Sequence, residues 1–337
     1  MDIVRKIKDW MLPVAMVTGA ALYLLYHFMP APVHMAGPVL EVIVDVAQPL
    51  MIFTMLFLTF CRIEPKDLKP HRWHWWLLLT QGGLFILLGI LAVWILRANP
   101  DSSQSAVILI ECAMLCLIAP TATAAAVVTR KLGGDVSGLT TYIVLINLLV
   151  AVLVPLVVPL VQPHTDLDFW ESFSLIMAKV FPLLITPCLC AWLVRYLAPH
   201  LHARLMKHPD LPFYIWALAL TLAIAMTTKA IVHTELSAGL ILMMSLVSLV
   251  CCAFQFAAGR FVGSRYRPRR SVSPDLEERG REVRKVTAGQ AMGQKNTIFV
   301  IWMAITFMTP ETAIVGGLYS IWHNIYNSWQ LYRAGKQ

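Results

Sequence analysis

Pro120-Thr121-Ala122-Thr123 and Gly289-Gln290-Ala291-Met292-Gly293-Gln294-Lys295-Asn296 interrupt two otherwise apolar helical runs, at corresponding places in the two halves of the chain. Proline lacks the donor that continues a helix, and the second stretch puts four polar side chains into what should be a membrane-depth segment. Non-helical backbone at that depth is tolerated only where protein or a cavity surrounds it. Paired interruptions in the two halves of a chain therefore point to a binding site at the middle of the bilayer.

The composition makes the membrane reading unavoidable. Of the 337 residues, 58% are hydrophobic and only 14% charged, and the mean hydropathy is +0.68; a soluble domain carries about 25% charge. Apolar runs occur near 12–29, 38–60, 74–96, 105–129, 137–162, 171–196, 212–231, 237–259, 286–309 and 312–332. Ten spans divide the chain into units of roughly 34 residues, a spanning helix of about 20 plus a loop. The expectation is an all-α membrane protein of ten transmembrane helices. A soluble enzyme, a disulfide-built secreted module and a nucleic-acid binder are excluded. Arg5, Lys6 and Lys8 precede the first run as in a signal peptide, but no small-residue cleavage site follows, so that run is read as a true helix.

Charge fixes the expected orientation. With both termini cytoplasmic, the inner segments hold 23 of the 27 Lys and Arg, as the positive-inside rule requires. The net charge of +8 is thus topology rather than nucleic-acid binding. The run Arg260, Arg265, Arg267, Arg269 and Arg270 is an orientation signal first, with anionic lipid binding as a second role. The outer loop at 163–171 is acidic (Asp166, Asp168, Glu171). Five spans lie on either side of about residue 165, so the halves 1–165 and 166–337 must face opposite ways, as inverted repeats. Short loops and tails point to a bacterial inner membrane.

Ionisable groups inside a bilayer cost about 2.5–3.5 kcal/mol each on insertion scales. Lys179 and Lys229, near outer helix ends, can snorkel. Glu41 and Asp45 are one turn apart and either line a vestibule or reach water. Lys295 is too deep to snorkel; it either ties the broken helix to carbonyls or an acid such as Glu111, or supplies a cation at a transport site. Gln81 either bonds across helices or points into a cavity. Thr140, Thr141 and Asn147 carry weaker signals, and His323 reads as an interfacial hydrogen-bonding residue. The seven cysteines read as packing. No metal-ligand cluster, nucleophile elbow or Walker loop is present, so an ATP-driven pump, an enzyme and a cofactor are not expected.

Three stretches resemble the bile acid:sodium symporter family. Cys61-Arg62-Ile63-Glu64-Pro65-Lys66-Asp67-Leu68-Lys69 is similar to its Leu-Thr-Leu-Lys-Pro-x-Asp-Phe-Lys loop. Pro120-Thr121-Ala122-Thr123-Ala124-Ala125-Ala126 is similar to its Pro-Gly-Gly-Thr-Ala-Ser-Asn motif. Gly316-Gly317-Leu318-Tyr319-Ser320-Ile321-Trp322-His323-Asn324 is similar to its closing Gly-x-x-x-Ser-x-Trp-His-Asn signature. The resemblance runs over essentially the whole chain. It implies a core domain in which the two broken helices cross, a panel domain beside it, and transport of organic anions, usually with sodium.

The departures from that pattern matter most. The family's sodium-binding Ser-Asn pair falls on Ala125 and Ala126, its Glu on Gln290 and a following Asn on Lys295, while the matching glutamines Gln294 and Gln81 are kept. Two oxygen ligands are methyl groups here, one negative charge is missing and one positive charge is gained. At an effective dielectric of ~20 and ~4 Å, one unit of like charge costs about 4 kcal/mol, roughly three decades of sodium affinity. The ammonium of Lys295 is accordingly expected to stand where sodium would, donating to Gln81, Gln290, Gln294 and freed carbonyls. The expected site comprises Gln81, Thr121, Thr123, Gln290, Gln294, Lys295 and Asn296. The expected function is secondary transport of an organic anion, bile acid-like or a small carboxylate, in the lipid bilayer by alternating access. Sodium is disfavoured as coupling ion, and a proton carried by Lys295 is the second option. The alternatives are a non-transporting sensor or scaffold with Lys295 as a lock, and an ordinary sodium-coupled symporter.

Overall fold

The computed structural model describes residues 2–30, 37–98, 104–162, 167–208, 211–266 and 274–334. Asp166, Arg267, Arg269, Arg270 and the boundary drawn at residue 165 lie outside the described residues.

Thirteen helices make up the described chain: α1 Asp2–His27, α2 Gly37–Phe60, α3 Arg72–Ala98, α4 Gln104–Ile118, α5 Ala125–Lys131, α6 Val136–Val161, α7 Phe169–Leu197, α8 Pro199–Met206, α9 Leu211–His233, α10 Ala238–Arg265, α11 Pro274–Gly293, α12 Thr297–Phe307 and α13 Ala313–Ala334. Among the described residues, six helices are long and apolar enough to cross a membrane: the unbroken α2, α3, α6, α7, α9 and α10. The other four expected spans fall short for identifiable reasons. In α1 the side chains are described from Pro13 on, and the apolar stretch Pro13–His27 is shorter than a full span. Two spans are each split into shorter helices, α4 with α5 and α11 with α12. Polar residues such as His323, Asn324, Asn327 and Gln330 dilute α13.

Local chemistry sets several boundaries. Asp135 caps α6 by accepting from the Ser137 amide at 2.9 Å. Asp168 and Glu171 form a reciprocal capping box at the start of α7, which satisfies two orphan donors at once. Outward faces are apolar: Leu79, Leu87, Ile90 and Trp94 of α3 are all more than half exposed. Such a surface belongs in lipid rather than water. The molecule is an integral membrane protein.

α1 packs along α9, α2 lies against α7 and α9, and α3 against α4 and α6. α10 packs against α4, α11 and α13. Lipid tails are as apolar as leucine, so helices in a membrane associate through close packing and polar contacts rather than hydrophobic drive. Both devices are present. Gly259 and Gly263 let α11 approach α10 so closely that an added Cβ would lie 2.3 Å from Ala288 O and 2.4 Å from Arg284 O. Glu111, buried in α4, accepts from the Gln162 side chain at the end of α6 and from the Thr309 amide beyond α12 at 3.3 Å. Gln162 also donates to Thr309 Oγ1 at 2.8 Å.

Several charged side chains on the spanning helices have partners. Lys229 pairs with Glu41 at 2.6 Å, and Lys179 lies over the Phe307 ring at 5.7 Å. On the opposite face, Arg195 and His202 both bond Cys61 O, at 2.9 and 2.7 Å. Arg195 also reaches Glu64 at 3.2 Å.

Two stability tests follow from these contacts, both read as thermal unfolding of the purified protein. Gly259→Val must push α11 away and should cost about 1–3 kcal/mol or more. Gly83→Ala, where an added Cβ meets nothing within 4 Å, should be neutral or stabilising by up to about 1 kcal/mol. Equal melting points for the two variants contradict the close-packing account. Glu111→Val strands two donors and should cost about 1–3 kcal/mol, and Glu111→Gln, which keeps an acceptor oxygen, should cost less.

Candidate functional site

The two interruptions meet. The chain unwinds from Ala119 to Ala124 between α4 and α5, and from Gln294 to Asn296 between α11 and α12. There the two segments run antiparallel, Thr121 opposite Lys295. The Ala122 amide donates to Gln294 O at 2.9 Å and the Asn296 amide to Pro120 O at 2.8 Å. Thr121 Oγ1 donates to Ala291 O at 2.5 Å. Each broken segment thus supplies the partners that the other lost on leaving its helix.

The second break is narrower than its glycines suggest. α11 continues through Gly289 to Gly293. An added Cβ would lie 2.7 Å from Arg260 Cγ at Gly289 and 2.4 Å from the Phe256 ring at Gly293. Those glycines serve helix approach, and only Gln294, Lys295 and Asn296 are unwound. Asn296 then starts α12 as its cap, accepting from the Phe299 amide at 3.2 Å.

Lys295 is buried, and its Nζ donates to Leu117 O at 3.2 Å and Ala119 O at 2.9 Å. These carbonyls sit where α4 ends and carry the negative end of its dipole, so the ammonium meets partial charge of opposite sign. Its expected glutamine partners are elsewhere. Gln81 Nε2 shares the Leu117 carbonyl, at 2.7 Å, and Gln81 Oε1 accepts from the buried Tyr142 hydroxyl. Gln290 Nε2 donates to Asn327 Oδ1 at 2.9 Å. Glu111 is not its counter-ion either, being held by Gln162 and Thr309. Among the described residues no carboxylate pairs with Lys295.

Neighbouring helices add further bonds. Gln255 on α10 donates to Cys116 O at 3.1 Å and to the Tyr319 hydroxyl at 2.9 Å. Tyr319 on α13 in turn donates to Gly293 O at 2.9 Å.

Beside the crossing lies a cavity of about 540 Å³. It brings together four of the expected site residues: Thr123, Gln294, Lys295 and Asn296 line it. Gln81, Thr121 and Gln290 do not; all three are buried behind the crossing and hold it. The first turn of α12, Thr297 and Ile298, also faces the cavity, presenting a helix start, which favours anions. The apolar wall comes from Met55, Val127, Val128 and Trp216.

The sequence reading passed over several lining residues. His323, expected at the interface, is 5% exposed and lines the cavity with Ser320 and Asn324. Among the described residues, His323 Nδ1 and Gln294 Oε1 are buried without a partner, leaving hydrogen-bonding capacity on the wall. Asn324 Nδ2 bonds Ser320 O at 2.6 Å. Arg62, Glu64, Asp67 and Arg130 also line the cavity and come from the loop face that carries the basic residues. The Lys66 ammonium, 2.5 Å from Glu64, holds that carboxyl below the usual carboxylate range. Arg62, Glu64 and Asp67 belong to the 61–69 stretch that resembles the family loop, whereas the signal for Arg130 was loop charge, which topology already explained.

A comparison with curated proteins found no match. The model of the sodium bile acid symporter family, by contrast, matches residues 49–236, more than half of the chain and inclusive of the first broken helix. That range also contains the Gln81 and Tyr142 pair that braces the crossing. By that match the chain belongs to the sodium bile acid symporter family, whose members are transporters and not enzymes.

Proposed function

We propose that this chain is a secondary transporter of an organic anion, bile acid-like or a small carboxylate, that works by alternating access without sodium. On this reading it has ten spans in two inverted five-helix repeats, 1–165 and 166–337. The core domain carries the crossing broken helices, and α1, α2, α7 and α9 form the panel. The antiparallel meeting of the two breaks supports the inverted relation, since each break follows the same position in its half.

One observation carries the proposal: the Lys295 ammonium sits on Leu117 O and Ala119 O beside the cavity. A sodium ion wants oxygen ligands from carbonyls, hydroxyls or carboxylates. Here freed carbonyls are already bonded to an ammonium, and Ala125 and Ala126 offer methyl groups. The same geometry favours an anionic cargo. The positive charge, the first turn of α12 and Arg130 face one cavity, and its apolar wall suits the hydrocarbon part of an amphipathic acid. The cavity reaches the basic loop face, which the positive-inside rule assigns to the cytoplasm, so the conformation is inward-facing.

Flux in proteoliposomes tests this, using radiolabelled cholate and pyruvate as probes with sodium or potassium at equal ionic strength. Uptake should follow the anion gradient equally in both salts, and melting temperature should not distinguish them. A specific ligand at 100 times its Kd would add about 2.7 kcal/mol to folded-state stability, so a sodium-specific rise in melting temperature or flux overturns the proposal. Lys295→Ala should abolish transport or its pH dependence; full retention of both counts against the assigned role. Binding of an anion without any flux would mean a sensor or scaffold.

A further inference from the structure

A second cavity, of about 450 Å³, lies between the start of α3 and the end of α10, on the basic loop face. It shares no lining residue with the cavity at the crossing. Its floor is apolar and turned outward: Trp76 is 62% and Phe261 59% exposed. Its rim carries Arg72, Arg265 and Tyr266. The Arg265 guanidinium lies 5.0 Å from the Phe261 ring centroid, and Arg284 lies 5.9 Å over Tyr266. Among the described residues, no acidic side chain lines the cavity and neither Arg72 nor Arg265 has a carboxylate partner.

We infer that this cleft is a binding site for an anionic phospholipid, with the phosphate between Arg72 and Arg265 and the acyl chains along Trp76 and Phe261. The charge pattern selects the occupant. Arg72 and Arg265, with no carboxylate partner among the described residues, line one cavity together with the exposed aromatic side chains of Trp76 and Phe261. Guanidinium presents a planar fork of donors that matches phosphate oxygens two at a time. Aromatic side chains at this depth are characteristic of the membrane interface, where headgroup and hydrocarbon meet. A zwitterionic headgroup carries its own cation and leaves the arginine pair half answered. A free phosphate would gain nothing from the apolar floor.

The test uses the full chain in zwitterionic detergent, titrated with phosphatidylglycerol or phosphatidylcholine and read by native mass spectrometry and melting temperature. Phosphatidylglycerol should bind in preference. With about 1 kcal/mol for each arginine near a headgroup, Arg72→Gln with Arg265→Gln should bind it about 30-fold more weakly. Arg204→Gln with Lys207→Gln makes the same charge change at exposed positions of α8 and its end, and should leave binding within about twofold of the parent. Should the glutamine pair fail to fold, Arg72→Lys with Arg265→Lys keeps the charge but loses the fork, and should still bind several-fold more weakly. Three results overturn the site: undiminished phosphatidylglycerol binding by the folded variant, an equal loss in the α8 control, or full competition by inorganic phosphate, which would mean a free-anion site.

Discussion

The ammonium of Lys295, seated on two carbonyls at the end of α4, is the contact on which the crossing depends. A helix that stops inside a membrane leaves carbonyls with no water to turn to, each costing several kcal/mol if unanswered. Here the answers come from different places. Lys295 takes Leu117 and Ala119, Gln81 on α3 shares Leu117, Gln255 on α10 takes Cys116, and the Asn296 amide takes Pro120. Three helices and both broken segments are thereby fixed relative to one another. Displacing any one of them strands a polar group of another.

Glycine packing and polar ties divide the structural work between them. Gly259 and Gly263 bring α10 and α11 into backbone contact, which sets the height at which α11 ends and therefore where Lys295 emerges. Tyr319 then binds the last carbonyl of α11, at Gly293, and links it through Gln255 to the end of α4. The aromatic hydroxyl reports the position of one break to the other. Since hydrocarbon offers no alternative partner to these groups, their geometry defines the fold more sharply than apolar burial could.

The unbroken helices were legible because their apolar runs are long, and their expected boundaries mostly fall within a few residues of an observed end, whereas α1 and α11 begin ten and twelve residues before the expected starts at 12 and 286. The first break was legible from Pro120. The second was legible in place but not in cause: Gly289 and Gly293 looked like helix breakers, whereas their missing side chains make room for Arg260 and Phe256. Helix approach of that kind depends on a partner far away in the chain and leaves no local mark. The partners of Lys295 were hidden for a similar reason. Backbone carbonyls are present at every residue, so freed carbonyls could be expected as partners but not assigned to Leu117 and Ala119, and the side chains named beside them, Gln81, Gln290, Gln294 and Glu111, do not accept from Lys295. His323 looked like a residue of the membrane edge because histidine and tryptophan are common there; its place on the cavity wall depends on the rotation of α13.

Charge at the crossing explains why a lysine can stand there without changing what the cavity attracts. The end of α4 contributes about half a negative charge and the start of α12 about half a positive one, so the two termini nearly cancel. An ammonium added between them leaves a net charge of about +1 beside the cavity, which is also what a bound sodium ion would leave. On the proposed reading the anion therefore meets a positive field with no diffusible cation bound. What differs is thermodynamic. A diffusible ion contributes its gradient each time it binds and leaves, whereas a charge fixed to the chain returns unchanged after every cycle and can do no work on the cargo. On the proposed reading, substituting a tethered cation for a mobile one removes sodium coupling through a single atom, Lys295 Nζ.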